Sequence, residues 1–157
     1  MVVKNECQAL CIAVEMERRA IRVYERALML ATDETVRAGI NEILVDEKSH
    51  LRRFSEMRTG YMVDEAEERM LISSMAAEVL FTGGVMEMKR EQALTTLQGL
   101  YRYAADSEAD AVRTYADFAQ KCENAAVQAV FMDIVREEST HLVELKSRLA
   151  RMEENAQ

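Results

Sequence analysis

The sequence predicts an all-α protein, a bundle of four long helices joined as two antiparallel hairpins. Three observations carry that prediction. The 157 residues include no proline and only five glycines, so helices can run on without a ring that removes a backbone donor. Apolar side chains recur at helical spacing through four separate stretches. The two halves of the chain also register on each other when one is shifted by 91 positions.

The first helix is expected over about residues 4–31, on Leu10, Ala13, Val14, Ala20, Ile21, Tyr24 and Leu28. Thr32-Asp33-Glu34 reads as a turn and a new N-cap. The second helix follows over about 34–58, through Val36, Ile40, Ile43, Leu44, Leu51, Phe54 and Met57. Gly39 lies inside it at a propensity cost of about 1 kcal/mol against alanine, and Thr59-Gly60 puts a glycine at the usual stop. Residues 59–91 form a long crossover. In it, Asp64 and Glu67 suggest a capping box, Met70 to Phe81 a short helix, and Gly83-Gly84 its end. The third and fourth long helices are expected over about 92–121 and 125–153, with Glu123-Asn124 as their turn. Short links within each pair make hairpins of about 4–58 and 92–153. A second helix spanning about 36 Å at 1.5 Å per residue needs a connection as long as 59–91 if the third helix is to run parallel to it. The whole chain, 1–157, reads as one domain.

The bulk charge narrows the function. A net charge of −8 argues against nucleic acid, which selects a basic face. No stretch approaches the roughly 20 apolar residues of a membrane span, and Met1 to Glu6 lack a secretory apolar run. Cys7, Cys11 and Cys122 form no CxxC pair, which fits a reducing, cytoplasmic setting.

Chemistry enters through the repeat. Glu17 falls on Glu108, Tyr24 on Tyr115, Glu47 on Glu138 and His50 on His141, so each half reads E-x6-Y-x22-E-x2-H. Ala13, Ala20, Arg22, Ile43 and Leu51 also match Ala104, Ala111, Arg113, Ile134 and Leu142. Both histidines of the chain stand three residues after a glutamate. One such E-x-x-H is common on acidic surface helices; two in register mark a duplicated hairpin. Residues three apart share a helix face, so Glu47 and His50 can serve one ion, as can Glu138 and His141. Glu17 and Glu108 come from the other two helices. Four carboxylates and two imidazoles inside a bundle are a ligand set for two iron or two manganese ions, and four carboxylate charges balance two divalent cations.

Tyr24 and Tyr115 lie two turns beyond the first glutamates, where a phenol can donate to a carboxylate on the opposing hairpin. Each also reads as a core tyrosine with a satisfied hydroxyl. Ala13, Ala20, Ala104 and Ala111 either leave room for metals and a small oxidant or allow a tight helix crossing. The eleven methionines read as core fillers, Cys7 and Cys11 as a pair of inert thiols, and Asp46 and Glu137 as solvated acids beside the ligands.

The doubled E-x6-Y and E-x-x-H pattern over about 17–58 and 108–150 resembles the ferritin-like superfamily, nearest to the erythrin domain of rubrerythrins and to bacterioferritins. The resemblance implies a ferritin-like bundle with two irons, bridged by Glu47 and Glu138 and completed by Glu17, His50, Glu108 and His141. It implies a di-iron oxidoreductase that reduces hydrogen peroxide or dioxygen while oxidising ferrous iron, with Glu47, Glu138, Tyr24 and Tyr115 as the catalytic set. A homodimer or larger homo-oligomer is expected with it. Two departures stand out. Rubrerythrins usually add a rubredoxin with four cysteine ligands, so electrons are expected from a separate donor such as a rubredoxin. Ala111 stands where rubrerythrins place an extra glutamate, so the ligand count is the symmetric one of bacterioferritins. Iron storage with ferroxidase activity, a di-manganese centre and a purely structural metal site are the competing expectations.

Overall fold

Side-chain caps set where the long helices begin. The computed structural model describes residues 3–75 and 93–157, and all the regular structure among them is helical. Helix α1 spans Glu6–Leu30 and α2 spans Glu34–Arg58. Helix α3 starts at residue 65 and is described to 75. Helix α4 spans Leu97–Gln120 and α5 spans Ala125–Asn155. Asn5, Asp33, Thr96 and Asn124 each accept a hydrogen bond from a first-turn backbone N–H, removing donors that the helix leaves unpaired.

The two hairpin turns repeat in atomic detail. Asp33 takes the N–H groups of Thr35 and Val36, and its counterpart Asn124 takes those of Ala126 and Val127. Arg37 Nη1 donates to the Leu28 and Ala31 carbonyls at the end of α1. Gln128, 91 positions later, donates through Nε2 to Ala119 O at the end of α4. Duplication at the sequence level has become duplication of the cap chemistry, which sets each antiparallel pair.

Several sequence expectations need adjustment. The glycine stop at Gly60 is not left-handed: its N–H donates to Met57 O at 3.3 Å, and no described residue has positive φ. Asp64 Oδ1 does cap Ala66 and Glu67, but the Glu67 carboxylate turns to the Gln8 amide instead of back to the cap. The short crossover helix begins earlier, at 65; its expected course beyond 75 and the Gly83-Gly84 stop lie outside the described residues. The third long helix begins at Leu97, later than the expected 92, because residues 94–96 turn and Thr96 caps the helix. Gly39 has a packing reason: a Cβ there would lie 3.1 Å from Cδ2 of buried Leu100, so glycine lets α2 approach α4.

Two apolar clusters fill the interior. One holds Leu10, Phe54, Tyr115, Phe118 and Phe131; the other holds Tyr24, Ile40, Leu44, Leu100 and Leu145. Burying such side chains is worth about 1.5–3 kcal/mol each. The charged residues that this interior encloses are few. No described helix is long and apolar enough to cross a membrane.

Candidate metal centre

The buried polar residues of the described chain are five: Glu17, Glu47, His50, Glu108 and Glu138. Carboxylates are almost never this buried unless paired or coordinated. Helix α1 supplies Glu17, α2 supplies Glu47 and His50, α4 supplies Glu108, and α5 supplies Glu138 and half-buried His141. The three-residue step places each glutamate–histidine pair on one face of its helix.

These six side chains make two groups able to hold a metal ion. Glu17, Glu47, His50 and Glu138 bring one donor atom each within 4.8 Å of one another; Glu108, Glu138 and His141 do the same. Glu138 belongs to both, and Glu47 to the first alone. The bridging pair implied by the family resemblance is therefore represented in both groups only by Glu138.

The histidines are oriented alike. His50 Nδ1 lies 3.1 Å from Glu138 Oε1 and 3.8 Å from Glu47 Oε2, while its Nε2 lies 3.2 Å from Glu137 Oε2. His141 Nδ1 lies 3.3 Å from Glu138 Oε2, and its Nε2 lies 3.5 Å from Asp46 Oδ2. Asp46 and Glu137 are thus not merely solvated acids. They are related by the same 91-position shift, and each crosses between hairpins to the outer nitrogen of the other half's histidine. Arg53 holds Glu137 in turn at 2.7 Å. An acid at both positions, one residue before each inner glutamate, was the sequence signal for this role.

A metal fits this donor set on a further observation. His50 Nδ1 is buried and has no hydrogen-bond partner, its approach to Glu138 being poorly aligned for one. A buried unpaired nitrogen costs about 1–3 kcal/mol. With Nε2 committed to Glu137, the lone pair of Nδ1 is free for a cation, the arrangement in which an outer carboxylate fixes a metal-binding imidazole.

The tyrosines differ. Tyr115 is fully buried and donates its hydroxyl to Glu17 Oε1 at 2.5 Å, across the hairpins. Tyr24 makes no equivalent bond to Glu108; its ring meets Tyr103 edge-on at 5.9 Å.

Without metal the cluster is neutralised by protons. Burial, the charge of Glu47 and a hydrogen bond shared with it push Glu17 far above the usual carboxyl range. Burial and a hydrogen bond shared with Glu138 raise Glu108 in the same way. Burial acts to raise Glu138 too, but His141, His50 and Glu108 together hold it below the usual range. Burial draws His50 down, yet the Glu138 and Glu47 carboxylates lift it to about 11. His141 is raised by Glu138 against its own partial burial, with help from Asp46.

Fold and site define a helical bundle enclosing a buried carboxylate–histidine cluster that can hold metal ions. Comparison of the chain with family models, with curated proteins and with solved structures gives no match.

Proposed function

We propose that the protein is a ferritin-like, two-metal carboxylate oxidoreductase. It would hold two iron ions, one in each group, and reduce hydrogen peroxide or dioxygen as ferrous iron is oxidised. The observation that carries this reading is the sharing of Glu138 between two groups whose imidazoles both turn Nδ1 inward. A single structural ion needs no second histidine and no shared carboxylate. Carboxylate and imidazole donors suit iron(II), and manganese next to it.

When bound, two ferrous ions supply the two electrons that, with two protons, convert peroxide to two waters. The chain's own residues supply the setting. Glu17 and Glu108 hold protons that metal binding displaces. Tyr115 keeps the Glu17 carboxylate in one orientation, and Glu137 and Asp46 fix the imidazoles. Repeated turnover would need an electron donor to return the iron to the ferrous state.

Anaerobic protein loaded with iron(II) tests the proposal. Elemental analysis should find two irons per chain. Stopped-flow absorbance after mixing with stoichiometric peroxide or with dioxygen should show ferric iron forming faster than with free iron(II). Failure of both oxidants to outpace free iron(II) would sink the redox reading, and soluble retention of many irons per chain would move it to storage.

A further inference from the structure

The two halves of the centre are not equally shielded. The His50 side chain is 1 % exposed and that of His141 is 28 % exposed. The aromatic content of the two halves differs as well. Phe54, one turn beyond His50, packs on Phe131 with ring centres 4.9 Å apart, and Phe118 packs on Phe131 at 5.9 Å. Their counterparts on the His141 side are Leu145, Ala27 and Ile40. Each replacement is smaller. Beside Leu145 lies a cleft of about 60 Å³, whose walls also include Glu108, His141 and Asp46, enough for a few water molecules.

The mouth of this cleft carries charge. Glu42 and Glu144 stand at it, and Arg148 joins them. Arg148 Nη2 donates to Glu144 at 2.6 Å, and Nη1 donates to Glu42 at 3.2 Å and to the Tyr101 hydroxyl at 3.1 Å. Its guanidinium lies 5.4 Å from the Tyr101 ring centre. Both carboxylates are more than half exposed, and exposed ion pairs hold by only about 0–1 kcal/mol each. These pairs, with the Tyr101 hydroxyl and ring, hold the arginine over the cleft, and neither pair is buried. Once it swings away, Glu42, Glu144 and Asp46 line a path that attracts cations.

Resting on the two-metal reading above, we infer that divalent cations reach the centre through this cleft and that Arg148 is its latch. The guanidinium both fills the mouth and repels an approaching cation. Arg53, the arginine beside the other histidine, holds Glu137 next to buried His50.

The test is the rate of cobalt(II) uptake by the metal-free full chain, followed by stopped-flow visible absorbance at low salt, with bound cobalt measured at equilibrium. Arg148→Gln should speed uptake about three- to tenfold while leaving two ions per chain at equilibrium, and added salt should slow the wild-type rate. Arg113→Gln, which removes the same charge from an exposed pair with Asp110, should leave the rate unchanged. Wild-type uptake of two ions with an Arg148→Gln rate equal to wild type overturns the route and leaves the centre standing. Acceleration by Arg113→Gln as large as by Arg148→Gln also overturns it, because the effect then belongs to net charge and not to the cleft. A wild-type chain that binds no cobalt overturns the centre and the route together.

Discussion

Glu138 is the one donor common to both ion groups, and that makes occupancy a sharp test of the geometry. Glu17→Gln removes a carboxylate from the first group alone, Glu108→Gln from the second alone, and Glu138→Gln from both. Each change keeps side-chain volume, so no cavity complicates the result. A ligand at 100 times its dissociation constant stabilises a fold by about 2.7 kcal/mol per site. Two ions therefore add roughly 5 kcal/mol, which for a chain of this size raises Tm by about 10–20 °C. Loss of an anionic ligand should weaken its site at least as much as loss of an outer-shell partner, roughly 100-fold. At the same metal concentration, that site's contribution then falls to about 0.4 kcal/mol.

Manganese(II) titration followed by differential scanning calorimetry, with bound metal counted by elemental analysis, reads this directly. Wild type should bind two ions and show the full rise in Tm. Glu17→Gln and Glu108→Gln should each keep one tight ion and about half of the rise, and Glu138→Gln should keep neither. Circular dichroism should show all of them helical without metal. Two tightly held ions in Glu138→Gln, or undiminished occupancy in both single-group variants, would refute the shared-carboxylate geometry.

Three other outcomes follow from the same geometry. Glu137→Gln frees the outer nitrogen of His50 from its carboxylate and should weaken one of two metal sites by about 10–100-fold, seen by calorimetric titration as two separated affinities; a single undisturbed isotherm counts against an orienting role. Glu17, Glu108, His50 and His141 all have raised pKa values in the metal-free fold, so the folded chain holds more protons than the unfolded one at neutral pH. Metal-free stability should then fall as pH rises from 7 to 9, by about 1.4 kcal/mol per pH unit for each proton so retained, and the slope should flatten once metal displaces these protons. Parallel pH profiles with and without metal would contradict this. Glu6 accepts from the Tyr61 hydroxyl and from the Glu123 and Asn124 N–H groups, tying the start of α1 to the α4–α5 turn. Glu6→Ala should cost about 2 kcal/mol in urea unfolding at pH 7, and less at low pH, because its pKa is lowered, first by the Tyr61 bond, and the contribution is lost as the carboxylate protonates.

The long helices and their hairpin turns were legible because the signals are local: caps at Asp33 and Asn124, apolar spacing, and the absence of proline. The meeting of Glu17, Glu47, His50, Glu108, Glu138 and His141 was legible for a different reason. Matching residues of the two halves make matching contacts across the hairpins, Glu137 with His50 and Asp46 with His141. What escaped the sequence were contacts set by side-chain direction. Asp46 and Glu137 looked outward because their neighbours face the core, yet long acidic side chains at a helix flank reach across to the facing helix. The different roles of Tyr24 and Tyr115 are likewise a matter of side-chain direction, which their matching spacing does not decide.

The neutralising protons explain how two such acidic hairpins can dock at all. In each half one carboxyl, Glu17 or Glu108, is raised first by burial and then by its neighbouring glutamate, so it holds a proton more readily than a free glutamate. Each half also carries a histidine raised by its carboxylate neighbours. Both shifts favour bound protons and so reduce the negative charge that the interface between hairpins buries. Bringing the halves together then sets Glu138 against His50, an attraction between opposite charges rather than a repulsion between like ones. A divalent ion in each group replaces two protons with the same charge. The fold can therefore assemble first and exchange protons for metal afterwards, through whichever side of the cluster solvent can reach.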